Sequence, residues 1–201
     1  MYVTGTDDSI VSTPTGKGKS WSRDLSGSGT GVSVHPDDPV VYCSDNDGNV
    51  VAFNVEDGSE KWEYDTGTGR SRGIGIARDG DLVFIDTDDG AIRALDSKDG
   101  SEEWEASAPG SVTDFATHPD GSELYASIRE DTGPAVAYDI EDGSELWSVE
   151  RGNGRAEGID VSPDGETIYL ATRPALIALN SDDGSEVWTS DSEGDDDIRG
   201  V

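Results

Sequence analysis

EDGSEKW, residues 56–62, is written four times along this chain with small changes, and the fold is read from it. It recurs as KDGSEEW at 98–104, EDGSELW at 141–147 and DDGSEVW at 182–188, and a degraded copy, GKGKSW, ends at Trp21. All five tryptophans, Trp21, Trp62, Trp104, Trp147 and Trp188, stand at this place, so the spacings are 41, 42, 43 and 41 residues. Each full copy follows an apolar run that ends in Asn, Asp or a neighbour of one: VVAFNV at 50–55, AIRALDS at 91–97, AVAYDI at 135–140 and LIALNS at 176–181. Asp-Gly between two β-prone runs supplies the positive φ that a tight strand reversal needs. Gly58, Gly100, Gly143 and Gly184 are therefore turn residues. Glu-x-Trp then opens an outer strand, where a large amphipathic ring buries its body while its N–H finds a partner near the rim. The turn glycines and the tryptophans read as structural.

A period of 41–43 residues with four strands in each copy predicts an all-β protein of propeller type, with about five four-stranded blades. Two arrangements fit: a five-blade ring closed by the C-terminal strand, or a piece of a seven- or eight-blade ring. One domain over 1–201 is expected, with a partial blade at 1–27 and blades at about 28–67, 68–109, 110–152 and 153–192. Arg199-Gly200-Val201 aligns with Arg72-Gly73-Ile74, so 197–201 reads as the start of a further inner strand, the one the first copy lacks. Because that places the seam at the first copy, Trp21 is expected to be less well packed than Trp104.

Composition narrows the class. Hydrophobic residues make up 32% and Gly adds 26 residues, enough for many short strands, and no stretch of about 12 residues has helical periodicity. The formal charge is −30, from 44 Asp plus Glu against 14 Lys plus Arg. A single-sign field of this size repels nucleic-acid backbones and anionic membrane surfaces. The acidic residues are interleaved with strands rather than run together, which resembles the composition of proteins from extreme halophiles. In about 1 M salt the Debye length falls to about 3 Å, and carboxylate repulsion largely vanishes. A single cysteine, Cys43, excludes an intrachain disulfide and reads as a buried thiol. No apolar run reaches about 18 residues and no leader stands in the given sequence, so a soluble chain without membrane insertion is expected, in the cytoplasm or, if an N-terminal part is missing, at the cell surface.

Strand, DG turn, apolar strand ending in Asp, DGSE turn and Trp together resemble the PQQ-like (quinoprotein-type) β-propeller repeat. HPDGSELY at 118–125 and SPDGETIY at 162–169 are also similar to the inner turns of YVTN and WD40-like propellers. The resemblance covers essentially the whole chain and implies a fold, which leaves function open. Family members that bind pyrroloquinoline quinone use an adjacent cysteine pair, a Trp beneath the cofactor and a calcium held by Glu, Asn and Asp. This chain has one cysteine and commits every Trp to the repeat position, so neither quinone nor another cofactor is expected.

Other constellations have plain structural readings. Asp45-Asn46-Asp47-Gly48-Asn49 and the stretch from Asp86 to Gly90 begin like calcium loops, but the distal Glu such a loop needs is missing, and turn chemistry accounts for them. No metal site is expected. His35 and His118 occupy equivalent inner turns, each followed by Pro-Asp, and read as turn residues rather than as bases. GTGRSRGIG at 67–75 is glycine-rich but precedes a strand, which excludes a dinucleotide loop. Arg70, Arg72, Arg155 and Arg199 align to the starts of inner strands, with Glu157 in register, and form the one candidate binding group, suited to carboxylate or phosphate oxygens. The expected function is that of a non-enzymatic interaction or ligand-binding scaffold in a salt-adapted organism. Its partner would be another protein or a small anionic ligand. The rival is a fragment of a quinoprotein-like or lactonase-like enzyme whose catalytic residues lie outside this chain.

Overall fold

A computed structural model describes residues 2–4, 9–12, 21–131, 135–150, 155–173 and 175–190; Arg199, the expected strand at 197–201 and the degraded turn at 16–20 lie outside them. The chain divides into two compact units, Met1–Glu103 and Trp104–Val201, and each is taken by itself. All described elements are strands joined by turns.

The first unit opens with a three-stranded sheet, β1 (Tyr2–Thr4), β2 (Ser9–Ser12) and β3 (Trp21–Asp24), paired antiparallel in that order. The second sheet follows the chain as β4 (Gly29–Val34), β5 (Val40–Asp45), β6 (Asn49–Asn54) and β7 (Glu60–Asp65). The third is β8 (Ile74–Ile76), β9 (Leu82–Asp86), β10 (Ala91–Asp96) and β11 (Glu102–Ser107), and the division between units falls inside β11. In the second unit lie β12 (Val112–Thr117), β13 (Glu123–Ile128), β14 (Ala135–Asp139) and β15 (Glu145–Val149), then β16 (Ala156–Val161), β17 (Thr167–Thr172), β18 (Leu176–Asn180) and β19 (Glu186–Thr189). Four sheets of four strands, each a meander from inner to outer strand, are propeller blades.

Period-2 alternation explains the core. In β5 every residue of VVYCS is buried, because the strand has a neighbouring sheet on each face. Val40 and Tyr42 pack with Val83, Ile85 and Leu95 of the third sheet, whereas Val41 and Cys43 pack with Ile10, Trp21 and Leu25. In the second unit Tyr125, Ala135 and Ala137 meet Ile159, Leu170, Ile177 and Leu179 in the same manner. The outer strands β7 and β11 alternate with one face wet: β7 buries Trp62 between exposed Lys61 and Glu63. Burial pushes the Cys43 thiol up to about 12, which leaves it protonated and inert.

The repeat tryptophans are placed by a contact that joins successive copies. Trp21 Nε1 donates to Val55 O at 2.8 Å, Trp62 to Ser97 O at 3.0 Å, Trp104 to Ile140 O at 3.0 Å and Trp147 to Ser181 O at 2.8 Å. Each acceptor stands three residues before the turn glycine of the following copy, and the ring lies on that glycine. A Cβ added at Gly58, Gly100, Gly143 or Gly184 would come within 2.5–2.8 Å of the Trp21, Trp62, Trp104 or Trp147 ring respectively. The glycine is thus demanded twice, by a φ of 65–76° and by the ring. Trp21 is consequently as buried as Trp104, 9% against 8% exposed, which corrects the expectation that the first copy holds the loose tryptophan. Trp188, in the last described sheet, is 44% exposed.

Candidate functional site

The starts of the inner strands β4 and β8 are organised by buried carboxylates. Asp45 ends β5 at 1% exposure, and its oxygens accept the N–H groups of Gly27 (3.0 Å), Asp47 (3.0 Å) and Asn49 (2.9 Å). It therefore closes its own turn and ties down the segment that leads into β4. Asp86 ends β9 and does the same for β8, with Oδ1 accepting from Arg72 N (2.5 Å), Gly73 N (2.7 Å) and Ser71 Oγ (3.2 Å). Burial pushes the Asp86 carboxyl above its usual range, opposed by these donors and by the Arg72 charge. In β12, Asp114 Oδ2 accepts Ile159 N at 3.4 Å and so links β12 to β16; burial raises its pKa as well. The DNDGN and TDDG stretches hence serve turns and strand starts. Among the described residues no group of three His, Cys, Asp or Glu is arranged to hold a metal ion.

The arginines fall as follows. Arg70 is exposed and Arg72 half-buried, both before β8 in the first unit. Arg155, just before β16 in the second unit, faces Asp131 at 3.4 Å with its side chain half exposed. Glu157 sits 2.9 Å from Arg173, so its charge is met by that arginine. Arg173 carries no mark in the repeat pattern, and sequence reading passed over it.

The inner turns carry the two histidines. His35 Nδ1 accepts the N–H groups of Asp37 (3.2 Å) and Asp38 (2.8 Å), which fixes the tautomer with the proton on Nε2. His118 Nδ1 faces Asp120 Oδ1 at 2.5 Å. Both rings close their own turns and lie on the glycine of a following turn, His35 against Gly80 and His118 against Gly165. The Asp120 carboxyl is held down to about 2, first by the Ser122 hydroxyl and N–H and then by His118.

In the second unit a cleft of about 450 Å³ opens beside these turns, lined by His118, Asp164, Glu166, Asn180, Asp182 and Val187 among others. In the third sheet an exposed ion pair stands at the corresponding turns, where Lys98 Nζ meets Asp81 Oδ1 at 2.9 Å. Asp182 stands in the register of Lys98 and Glu166 in that of Asp81, so both of these positions in the cleft lining carry carboxylates.

Strand-end carboxylates, glycine-capped turns and the tryptophan that joins copies define the class: a β-propeller repeat protein. The family model described as outer membrane protein assembly factor BamB matches residues 1–124 and 131–196, and the chain belongs to that family, the PQQ-like repeat family its motifs resemble. No curated protein matches the chain.

Proposed function

We propose that this protein is a non-enzymatic scaffold that binds another protein or a small anionic ligand in a salt-adapted cell. The observation that carries this reading is the employment of its reactive side chains. His35, His118, Asp45 and Asp86 are engaged by groups of their own turns and strand starts, and Cys43 is sealed in the core. A family described by an assembly factor, and not by a reaction, supports the same reading. Salt adaptation is supported by the charge of −30, which demands screening if the sheets are to pack.

Arg72 in the first unit and Arg155 in the second each offer a guanidinium fork at the start of an inner strand, where carboxylates of a ligand or of an acidic partner segment can pair in bidentate fashion. Calorimetric titration with citrate and with a short poly-glutamate peptide in molar KCl tests this. Binding is expected in the wild type and is expected to disappear when Arg72→Ala is combined with Arg155→Ala. Binding that survives the double substitution places the ligand elsewhere, and a wild type that binds neither probe refutes the anion reading.

A further inference from the structure

The cleft of about 450 Å³ in the second unit lies between two sheets that each have all four strands. The β12–β13 turn brings His118 to it, the turns of the last sheet bring Asp164, Glu166, Asn180 and Asp182, and Val187 of β19 is its apolar member. Asp164 closes its own turn through Oδ1, which accepts from Ser162 Oγ (2.6 Å) and Glu166 N (3.2 Å). Asp182 gives its turn only an N–H, to Asn180 Oδ1 at 3.0 Å, and among the described residues no donor reaches the Glu166 or Asp182 carboxylate. The described arginines of this unit stand at the opposite strand ends: Arg129 after β13, Arg155 before β16 and Arg173 after β17. No lysine follows Lys98 in the sequence. Three carboxylates thus face one cleft with no described Lys or Arg of the unit to meet them, and a cleft lined by one sign of charge draws in the opposite sign.

A second observation lies beneath the cleft. Tyr125 is fully buried, and neither its Oη nor the buried Oε2 of Glu123 has a hydrogen-bond partner among the described residues. Tyr42 stands in the same register, seven residues after a histidine, and its Oη is satisfied by Ser97 O at 3.2 Å. The Tyr125 ring centroid is 6.4 Å from that of His118 on one wall, and the charge of Asp182 on the other wall bears on its phenol, so the unsatisfied hydroxyl sits between the two walls. Burial first and then the Glu123 carboxylate push that phenol far up, which keeps it protonated. Leaving such groups dry and unpaired is costly, and a cation with N–H donors repays the cost.

We propose that this cleft binds a protonated primary amine on an alkyl stem, with the ammonium among Asp164, Glu166 and Asp182 and the methylenes against Val187. The third sheet shows the pairing in one pair of residues, since Lys98 sets its ammonium 2.9 Å from Asp81 at the corresponding turns. A compact divalent ion does not suit, because among the described residues no three acidic or histidine side chains converge on one point. An amine suits better: its charge is spread over three N–H donors that reach separate carboxylates, and its stem needs an apolar wall. This site lies apart from Arg72 and Arg155 and takes the opposite charge, so the carboxylate titration can fail without touching it.

The test titrates the full chain in molar KCl with n-pentylammonium, methylammonium and neutral pentanol, followed by nuclear magnetic resonance of the Val187 methyls and the His118 ring. Pentylammonium should saturate both signals and bind about tenfold tighter than methylammonium, because its stem is buried. Pentanol should leave both unchanged. Glu166→Gln combined with Asp182→Asn should weaken pentylammonium about fivefold or more. Both side chains are exposed, so the melting temperature of that variant is expected to match the wild type in molar salt. Val187→Ser should abolish the preference for pentylammonium over methylammonium. The tripeptide acetyl-Gly-Lys-Gly-amide separates the two sources of such an amine: binding as tight as that of pentylammonium assigns the site to a lysine side chain of a partner, and weaker binding assigns it to a free amine. Pentanol that binds as well as pentylammonium, a double variant that binds as the wild type does, or no saturation by about 100 mM amine each overturns the proposal.

Discussion

Gly143→Ala separates the two demands placed on a turn glycine. Its φ is 72°, and an added Cβ would lie 2.6 Å from Cε3, 2.8 Å from Cδ2 and 3.0 Å from Cζ3 of Trp104. Gly121, in an inner turn of the same unit, has a φ of 82° and nothing within 4 Å of the same ideal atom. Forcing an L residue into the left-handed region costs about 1–2 kcal/mol at either site. Overpacking against a buried ring adds about 1–3 kcal/mol at Gly143 alone. Gly121→Ala is thus expected to lower stability by about 1–2 kcal/mol and Gly143→Ala by about 2–5 kcal/mol. In a chain of this size the gap amounts to several degrees of melting temperature, at about 2–4 °C per kcal/mol. Denaturant unfolding in molar KCl gives both values, and the double variant Gly143→Ala with Trp104→Ala should lose less than the sum of its parts, because removal of the ring opens room for the methyl. Equal losses at Gly121 and Gly143, or strict additivity in the double variant, would refute the claim that the ring of one copy rests on the turn of the next.

Trp21→Ala and Trp104→Ala should each cost about 3–5 kcal/mol and Trp188→Ala far less, measured by the same unfolding. Asp86→Asn keeps an Oδ1 acceptor for Ser71, Arg72 and Gly73 and should be close to neutral, whereas Asp86→Ala strands those donors and should cost about 1–3 kcal/mol. The Asp120 pKa is depressed to about 2 from an unfolded value of 3.8, so its contribution is complete above about 4 and fades as pH falls toward 2; Asp120→Asn should flatten that part of the stability–pH curve. Asp182→Lys should reproduce the Lys98–Asp81 pair with Glu166 and raise the melting temperature in dilute salt but not in molar salt. Strand content followed by circular dichroism should rise between about 0.1 and 3 M KCl, and a salt-independent melting curve contradicts salt adaptation.

The sequence determined everything that repeats locally. Asp-Gly fixes where the chain reverses, β-prone runs fix the strands beside it, and a 41–43 residue period fixes four strands to a copy, since turn geometry and pleat depend on residues only a few positions apart. The burial of Cys43 was also legible, from the apolar run in which it stands. Only the tertiary structure decided which surface each tryptophan covers. The acceptor lies 34 to 36 residues further along, and the motif around Trp147, which is covered, reads almost the same as that around Trp188, which is not. Asp45 and Asp86 were hidden in the same way. As letters they belong to DG turns, and only folding brings the N–H groups of Gly27 or Gly73 to a carboxylate 18 or 13 residues away. Arg173 likewise meets Glu157 across 16 residues, through the pairing of β16 with β17. Local patterns of hydrophobicity and turn chemistry determine the elements of this protein, and partners distant in sequence, which those patterns do not encode, determine what each element's side chains do.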